Sequence, residues 1–344
     1  MARGAHLVKH PKSDRVRLKD VAEAMGLAPS TVSRAFTDPE RGNFQTVEKI
    51  MRVAHEMGYR RQPNLRAPHD ALARTINIIV QDSSNQFYVG FMHGILERAR
   101  LAGYLTIVAD TGEDLSMERA YIRRLNRAVD GIIAAAPTTP DTELRELARA
   151  TPLVLFNREV SDVNSVVAFT PDDVSALVDH LHQLGHTRIV WCAGPKFAWS
   201  NKIRTDGLVK RCAELGIELI VTGPFIPTVR QGQLAASKAL EYKPTAIMGF
   251  NDQLAVGIIQ YLLAHGYRVP EDISVTGFDN TQSASIIHTG LTCLNAPLTL
   301  AGHRAVEILF RLLDGDTATR AIRLEAELVQ RGSTGPAREQ SYVH

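Results

Sequence analysis

The sequence predicts a small all-α head carrying a helix-turn-helix, followed by an α/β body of two lobes with parallel sheets flanked by helices. Three observations predict it. Residues 1–66 hold 13 Lys/Arg against 7 Asp/Glu, a net of +6, and the remaining residues hold 26 against 30, a net of −4, so the whole-chain charge of +2 hides a basic segment on a mildly acidic one. Within the basic segment, apolar residues recur at helix spacing around a glycine. Beyond residue 75, short Val/Ile/Ala-rich runs alternate with amphipathic stretches, the pattern of parallel strands covered on both faces.

At 344 residues the chain is long enough for two or three domains, and with 44% hydrophobic residues it can bury a sizeable core although only 6% are aromatic. It has no run of 18 apolar residues to span a membrane, and its first 20 residues lack the apolar stretch of a signal peptide. Cys192, Cys212 and Cys293 lie far apart without metal-type spacing. The expectation is a cytoplasmic protein with reduced thiols, no metal, no cofactor and no membrane partner.

The elements are expected in the following order. Residues 1–15 form a basic flexible tail and 16–60 the helix-turn-helix domain. Leu18, Val21, Ala22 and Met25 share one helix face until Gly26 stops the run. Pro29 suits the first turn of the next helix, where its missing N–H costs nothing. In that helix Val32, Ala35 and Phe36 make an apolar stripe, while Ser30, Thr31, Ser33 and Arg34 point elsewhere. A third helix over 46–57 turns Val47, Ile50, Met51, Val53 and Ala54 inward and closes at Gly58. Two short helices around a glycine turn, buttressed by a third, form a DNA-reading unit. Arginine offers a two-pronged fork to guanine O6/N7, and small hydroxyls reach phosphate oxygens. The alternative is a polar face that only meets solvent.

Leu18-Lys19-Asp20-Val21-Ala22, Gly26-Leu27, Thr31-Val32-Ser33-Arg34 and His55-Glu56-Met57-Gly58-Tyr59 together resemble the head of the lactose-repressor (LacI/GalR) family of bacterial transcriptional regulators, and the resemblance continues to about Ser333. It implies that the second helix lies in the major groove, with Pro29, Ser30 and Arg34 reading bases and Thr31 and Ser33 on phosphate. Pro29 departs from the usual reader and can give only apolar contact, for instance with a thymine methyl. Ala28 stands where the family has a capping serine, which weakens the helix start by about 1 kcal/mol.

Residues 61–74 are the linker. In the family a hinge helix here wedges a leucine into the minor groove. In this chain Pro63 can open a helix but Pro68 cuts it after about one turn. Leu65 and Leu72 are candidate wedges, neither at the usual offset from Tyr59. A proline-bearing linker whose arginines touch phosphate is the alternative.

In the body (75–333), strands are expected over 76–80, 105–109, 131–135, 153–156, 188–192, 217–222, 245–249 and 273–277, with helices such as 88–102, 173–185, 253–266 and 297–313. Eight strands are too many for one half, so lobe one is placed at about 75–157 with a return near 291–320, and lobe two at about 158–290. Residues 334–344 are expected to form a loose tail. The layout resembles periplasmic sugar-binding proteins, in which ligands sit beyond the strand C-termini.

Those strand ends carry the candidate ligand residues. Gln81 to Tyr88 resembles the family's D-x-S-N-P-F-F and supplies the aromatic faces of Phe87 and Tyr88. Asn157-Arg158 follows the fourth strand, with Asn157 where the family has aspartate. Lys196 to Gly207 resembles S-x-x-R-x-x-G-F with Arg204 as its arginine, Gly249 to Asp252 matches A-N-D, and Gly277 to Asn280 matches G-F-D-D. The resemblance implies that Arg204, Asn251 and Asp279 bind the effector. A sugar presents vicinal hydroxyls that donate and accept together; Arg204 donates, Asp279 accepts, Asn251 does both, and an aromatic face covers the ring. Each residue also has a structural alternative. Asp252 and Asp279 can cap helices, and Phe87 or Tyr88 can be core. Asn157 and Arg158 can pair across the lobes, and Arg204 can hold a neighbouring helix. Lys196, Lys202 and Arg204 leave a phosphorylated or acidic effector open.

The function expected is therefore a sequence-specific DNA-binding repressor gated by a sugar-like effector, acting as a homodimer on a pseudo-palindromic operator. Phe91, Ile95 and the helix near 253–263 are candidate dimer surfaces, with a core-facing role the alternative. No leucine heptad follows Ser333, so a dimer is expected rather than a tetramer. The alternative is a cytosolic solute-binding protein or sensor without DNA regulation. An enzyme is not expected, because G-x-S-x-G, P-loop, G-x-G-x-x-G and H-E-x-x-H motifs are missing. His180, His182 and His186 are expected to decorate the surface.

Overall fold

The computed structural model describes residues 18–37, 44–57, 74–125 and 128–338. The tail expected over 1–15, and the linker with Leu65, Pro68 and Leu72, lie outside the described residues; of 61–74 only Arg74 is described. The chain divides into two units, 1–71 and 72–344.

The first unit holds α1 (Leu18–Met25), α2 (Pro29–Thr37) and α3 (Phe44–Glu56). Val21 and Ala22 of α1, Val32 and Ala35 of α2, and Ile50 and Ala54 of α3 form one buried cluster, with Leu27 and Met57 packed at its edge. The turn between α1 and α2 follows from Gly26. Its φ of +63 lets its N–H reach Glu23 O at 3.2 Å and the Leu27 N–H reach Ala22 O at 3.0 Å, the paired bonds of a Schellman cap. Leu27 then folds back onto the core as that cap requires.

The second unit contains two six-stranded sheets built to one plan. The chain runs β1 (Thr75–Val80), α4 (Gln86–Leu101), β2 (Leu105–Asp110), α5 (Leu115–Leu125), β3 (Gly131–Ala135), α6 (Asp141–Ala150), β4 (Leu153–Phe156) and β5 (Asn164–Val167). It continues as α7 (Pro171–Gln183), β6 (Arg188–Cys192), α8 (Trp199–Glu214), β7 (Glu218–Thr222), α9 (Val229–Leu240), β8 (Ala246–Gly249), α10 (Asp252–Ala264), β9 (Ser274–Phe278), α11 (Gln282–Ile286) and β10 (Thr292–Asn295). The chain closes with α12 (Leu298–Leu313), β11 (Ala321–Arg323) and β12 (Glu327–Val329). The strand orders are β11-β5-β4-β3-β1-β2 and β12-β10-β9-β8-β6-β7, parallel throughout except that β12 runs antiparallel to β10.

The boundary between lobes therefore differs from the sequence expectation at two strands. Asn164–Val167 extends lobe one, because Val154–Phe156 pairs with it in parallel, so lobe one does not end at 157. Thr292–Asn295 pairs with β9 and belongs to lobe two, so the return to lobe one starts with α12 and not near 291. Both strands are only four residues long and contain polar residues, which hid them from a search for apolar runs. The chain consequently crosses between lobes three times, at 168–170, 296–297 and 324–326. The first and third crossings are tied together: Leu324 N–H donates to Val167 O (2.9 Å) and Ala326 N–H to Asp173 Oδ1 (3.1 Å).

Helix α12 lies against α4 at two glycines. A Cβ on Gly94 would stand 2.2 Å from Thr299 O, and one on Gly302 would stand 2.4 Å from Phe91 O, so only glycine permits this crossing. Phe91 and Ile95 lie fully buried beneath it. They are core residues and not a dimer surface.

The segment 333–338 is not a loose tail but a strap under lobe two. Thr334 Oγ1 pairs with His180 Nε2 (2.9 Å), Gly335 O with His186 Nε2 (3.1 Å), and Ala337 N–H donates to Leu184 O (2.7 Å). His180 and His186 are thus buried tethers, and His182 alone of the three faces solvent. Burial pushes His186 down to about 4. An unfolded imidazole titrates near 6.5, so between about 6.5 and 4 the unfolded chain takes up a proton that the folded chain refuses, and stability falls with pH by about 3 kcal/mol across that window. His186→Gln removes this titration. Its stability deficit against the wild type, measured by urea unfolding, is expected to shrink as pH is lowered from 7 to 4.5; a constant deficit refutes the assignment.

Candidate functional site

On α2, Val32 and Ala35 face the core, while Pro29, Ser30, Thr31 and Arg34 are exposed and Ser33 is half-buried. The face expected to read DNA is therefore presented as one surface. Ala28 accepts the first helical bonds through its carbonyl, from Thr31 N–H (2.9 Å) and Val32 N–H (3.2 Å), and has no side chain with which to cap the free N–H groups.

The effector candidates lie in the second unit. In each sheet the strand order reverses beside the first strand of the lobe, at β1/β3 and at β6/β8, which places a crevice beyond the strand C-termini. The two crevices face each other across a narrow cleft with a cavity volume of about 80 Å³ that opens to solvent. Phe87, Tyr88 and Asn157 line it from lobe one, and Arg204, Asn251 and Asp279 from lobe two.

Arg204 is the centre of the lobe-two wall. It comes from the first half of α8, and its side chain is only 4% exposed. Nη2 donates to Asp279 Oδ1 at 3.0 Å, Nη1 donates to Phe250 O, and Nε has no hydrogen-bond partner among the described residues. The guanidinium carbon stands 4.7, 4.9 and 4.4 Å from the ring centres of Phe169, Phe250 and Phe278. Three aromatic faces and a carboxylate stabilise a cation that burial alone would expel. Asp279 has a φ of +104, which a non-glycine residue holds only when its surroundings dictate it. Burial pushes Asp279 up to about 6 against the opposing pull of Arg204. Asp252 is wholly buried and accepts from Thr281 N–H (2.6 Å) and Thr281 Oγ1 (2.8 Å). Burial and the nearby Asp279 raise Asp252 well above the carboxylate range, and it is Asp279, not Asp252, that pairs directly with Arg204.

The other candidates divide by what already occupies their atoms. Asn251 caps α10, its Oδ1 accepting from Leu254 N–H at 3.0 Å, which leaves the amide nitrogen uncommitted; Asp252 is not the cap. Asn157 has a φ of +49, and its Oδ1 accepts from Ala168 N–H at 2.8 Å, pinning the first interlobe crossing. Phe87 is 6% exposed and stacks on Phe156, with ring centres 5.6 Å apart, so it is core with an edge on the cleft. Tyr88 packs edge-on against Phe87 at 5.4 Å, and burial raises its hydroxyl so that it stays a donor. Arg158 is not brought to the cleft. Its Nη2 bonds Asp141 Oδ1 at 2.7 Å and its Nη1 bonds Pro137 O at 3.3 Å, an ion pair within lobe one and not across the lobes. Lys202 pairs with Asp206 on the exposed side of α8, and neither Lys196 nor Lys202 lines the cleft.

Sequence reading missed Gln81, Glu113, Thr138, Phe197, Ser200 and Phe250, all on the cleft wall. Gln81 and Phe250 directly follow β1 and β8, and Glu113, Thr138, Phe197 and Ser200 lie in the loops or helix start after β2, β3 and β6, so the segments beyond strand ends at a switch point were the usable signal. Gln81 is held by Glu118, a fully buried carboxylate that also accepts from Thr138 N–H and Oγ1 (both 3.0 Å) and Thr139 N–H (2.9 Å).

Residues 17–62 match the bacterial regulatory proteins of the lacI family, and residues 178–334 match the periplasmic binding protein-like domain. The HTH-type transcriptional regulator DegA of Bacillus subtilis is 33% identical over 340 residues, spanning 94% of this chain and 99% of DegA. The chain belongs to the LacI family. Like its LacI-family relatives it is a DNA-binding transcriptional regulator under effector control, with α1 and α2 inside the matched head. The lac repressor dimer bound to operator and the anti-inducer ONPF superposes with a TM-score of 0.71 at 26% identity, over 93% of this chain and 99% of that one. A LacI-family regulator of Enterococcus faecium with bound ribose superposes with a TM-score of 0.67 at 25% identity, over 77% of this chain and all of that one. Among the described residues, this LacI-family chain has no helix long and apolar enough to cross a membrane.

Proposed function

We propose that the chain is a cytoplasmic, homodimeric repressor that reads a pseudo-palindromic operator with α2 and takes a polyhydroxylated effector, a sugar or sugar derivative, in the interlobe cleft. One observation carries this reading. The cleft sits at the switch points of both sheets and combines an aromatic-braced Arg204–Asp279 pair with partly committed amides at Asn157 and Asn251. A sugar ring offers what these groups lack, hydroxyls that donate and accept at once together with an apolar face. The ribose held by the Enterococcus faecium relative supports the same class. The cleft binds and catalyses nothing. Tyr88 covers the ring with the edge of Phe87 beside it, and Pro29, Ser30, Thr31, Ser33 and Arg34 contact DNA. Effector binding between lobes joined by three crossings shifts their relative arrangement and changes operator affinity by about 1–3 kcal/mol.

The test has two stages. Thermal-shift screening of the full chain against sugars, sugar acids and sugar phosphates is expected to raise the midpoint for a ligand far above its Kd, since stabilisation grows as RT ln(1 + [L]/Kd). The hit should then change gel-shift affinity for an operator selected from random DNA. A chain that binds sugars but selects no DNA is a sensor and not a repressor, and a chain that responds to none of these classes is not a carbohydrate-gated one.

A further inference from the structure

We infer that the effector carries a protonated amine and that Glu113 selects it. The inference rests on the reading of the cleft as a carbohydrate site and narrows the ligand within that class.

The charges on the cleft wall are unbalanced. Among the described residues that line it, the ionised groups are Arg204, Asp279 and Glu113. Arg204 is spent on Asp279, on Phe250 O and on three aromatic faces, so those two charges cancel where they stand. Glu113 has neither a cation nor a hydrogen-bond donor on its carboxylate among the described residues. The charge that acts on it is Asp82, of the same sign, whose own carboxylate receives Ser84 N–H (2.9 Å) and Ser84 Oγ (2.6 Å). Glu113 stays exposed on this wall, and partial desolvation together with the like charge of Asp82 raises its carboxyl, the response of a carboxylate that lacks a counter-charge.

The backbone presents Glu113 deliberately. Its φ is +61, a left-handed conformation that residues with a side chain seldom adopt, and Gly112 before it is also left-handed at +59. The loop is locked on both sides. Gly112 N–H donates to Asp110 Oδ1 (2.9 Å), Glu113 N–H to Gln81 O (3.0 Å), and Asp114 Oδ1 receives Ser116 N–H (2.7 Å) at the start of α5. Strained backbone held by its surroundings marks positions where a side chain must point somewhere specific. Here the result is an acceptor on the lobe-one wall, and Glu113 is the charge acting most strongly on the Tyr88 hydroxyl.

Ligand binding removes water from this wall. A neutral sugar would leave Glu113 desolvated without a counter-charge, and an acidic ligand would add repulsion; an ammonium supplies one positive charge and three donors. The structure therefore disfavours the acidic effectors that the nearby lysines had left open, because those lysines do not reach the wall.

The full chain should be titrated calorimetrically at pH 7 with three matched sets: D-glucosamine, D-galactosamine and D-mannosamine, their parent hexoses, and the corresponding hexuronic acids. We expect at least one amine to bind about tenfold or more tighter than its parent, with the uronic acids weakest. Glu113→Gln should reduce the amine's advantage, read as the ratio of amine to parent affinity within the same variant, to within about twofold while leaving urea stability unchanged, because the carboxylate has no partner among the described residues whose loss would unfold the loop. A parent hexose binding as tightly as its amine, a uronic acid binding best, or an amine preference that survives Glu113→Gln overturns this inference and leaves the carbohydrate reading intact. Silence from all three sets overturns this inference, and the carbohydrate reading falls with it only if the wider thermal-shift screen of sugars, sugar acids and sugar phosphates is silent as well.

Discussion

Arg34→Ala is expected to abolish specific operator binding while leaving effector affinity and thermal stability at wild-type values. The side chain is exposed on α2, and the residues that hold this helix in place, Val32 and Ala35, lie on its other face. The substitution therefore removes no core contact, and alanine is the better helix former. A two-pronged arginine–guanine contact discriminates by about 1–3 kcal/mol, and a two-fold dimer makes it twice, for a loss of roughly 30-fold to 10⁴-fold in affinity. Arg34→Lys separates the possible roles. A base-reading arginine loses most of its specificity as lysine, whereas a phosphate contact keeps its affinity and its salt dependence. Gel shifts on specific and random DNA across a salt series read both, and unchanged affinity in Arg34→Ala removes Arg34 from the reading face.

Arg204→Met should be the most damaging single change in the body. It deletes the hydrogen bonds to Asp279 and Phe250 O and leaves the Asp279 carboxylate buried without its cation. Breaking a buried pair from one side costs about 3–5 kcal/mol. The loss has a defined pH dependence. Asp279 already titrates at about 6 beside the arginine, and without it the carboxyl rises further. The variant then relieves its buried charge by protonation, so its deficit is largest at alkaline pH, shrinks as pH falls toward about 6, and levels off below that, where the wild-type carboxyl is protonated as well. Arg204→Met/Asp279→Asn removes both charges and should recover most of the stability, because the penalty belongs to the orphaned charge and not to the absent pair. Effector binding should remain lost in single and double variants alike. Urea unfolding at pH 5 and 8 with calorimetric titration tests both statements; a double variant no more stable than Arg204→Met overturns this account.

What the sequence disclosed depended on how strongly each element announces itself. The head was legible because Gly26, Pro29 and the Val32/Ala35 stripe each impose a local conformation. The eight apolar strands were legible for the same reason. Asn164–Val167, Thr292–Asn295, Ala321–Arg323 and Glu327–Val329 were not, since their pairing depends on strands far away in the chain and not on their own composition. At the cleft, motif resemblance brought Arg204, Asn251 and Asp279 to the wall but gave no sign of which atoms were already engaged. The commitment of Asn157 to Ala168 and of Arg158 to Asp141 follows from main-chain turns that no spacing reveals. Glu113 escaped notice because one acidic residue in a loop has no pattern at all, and its importance comes from the lack of a neighbour.

Each sheet receives its outermost strand last. Lobe one lacks β11 until residue 323 is made, and lobe two lacks β12 until residue 329. A polypeptide leaving the ribosome therefore carries two sheets with open edges through most of its synthesis, and α12, the cover over Phe91 and Ile95, arrives only after lobe two has been made. Premature termination anywhere before about residue 330 should yield fragments that aggregate and not a smaller sensor.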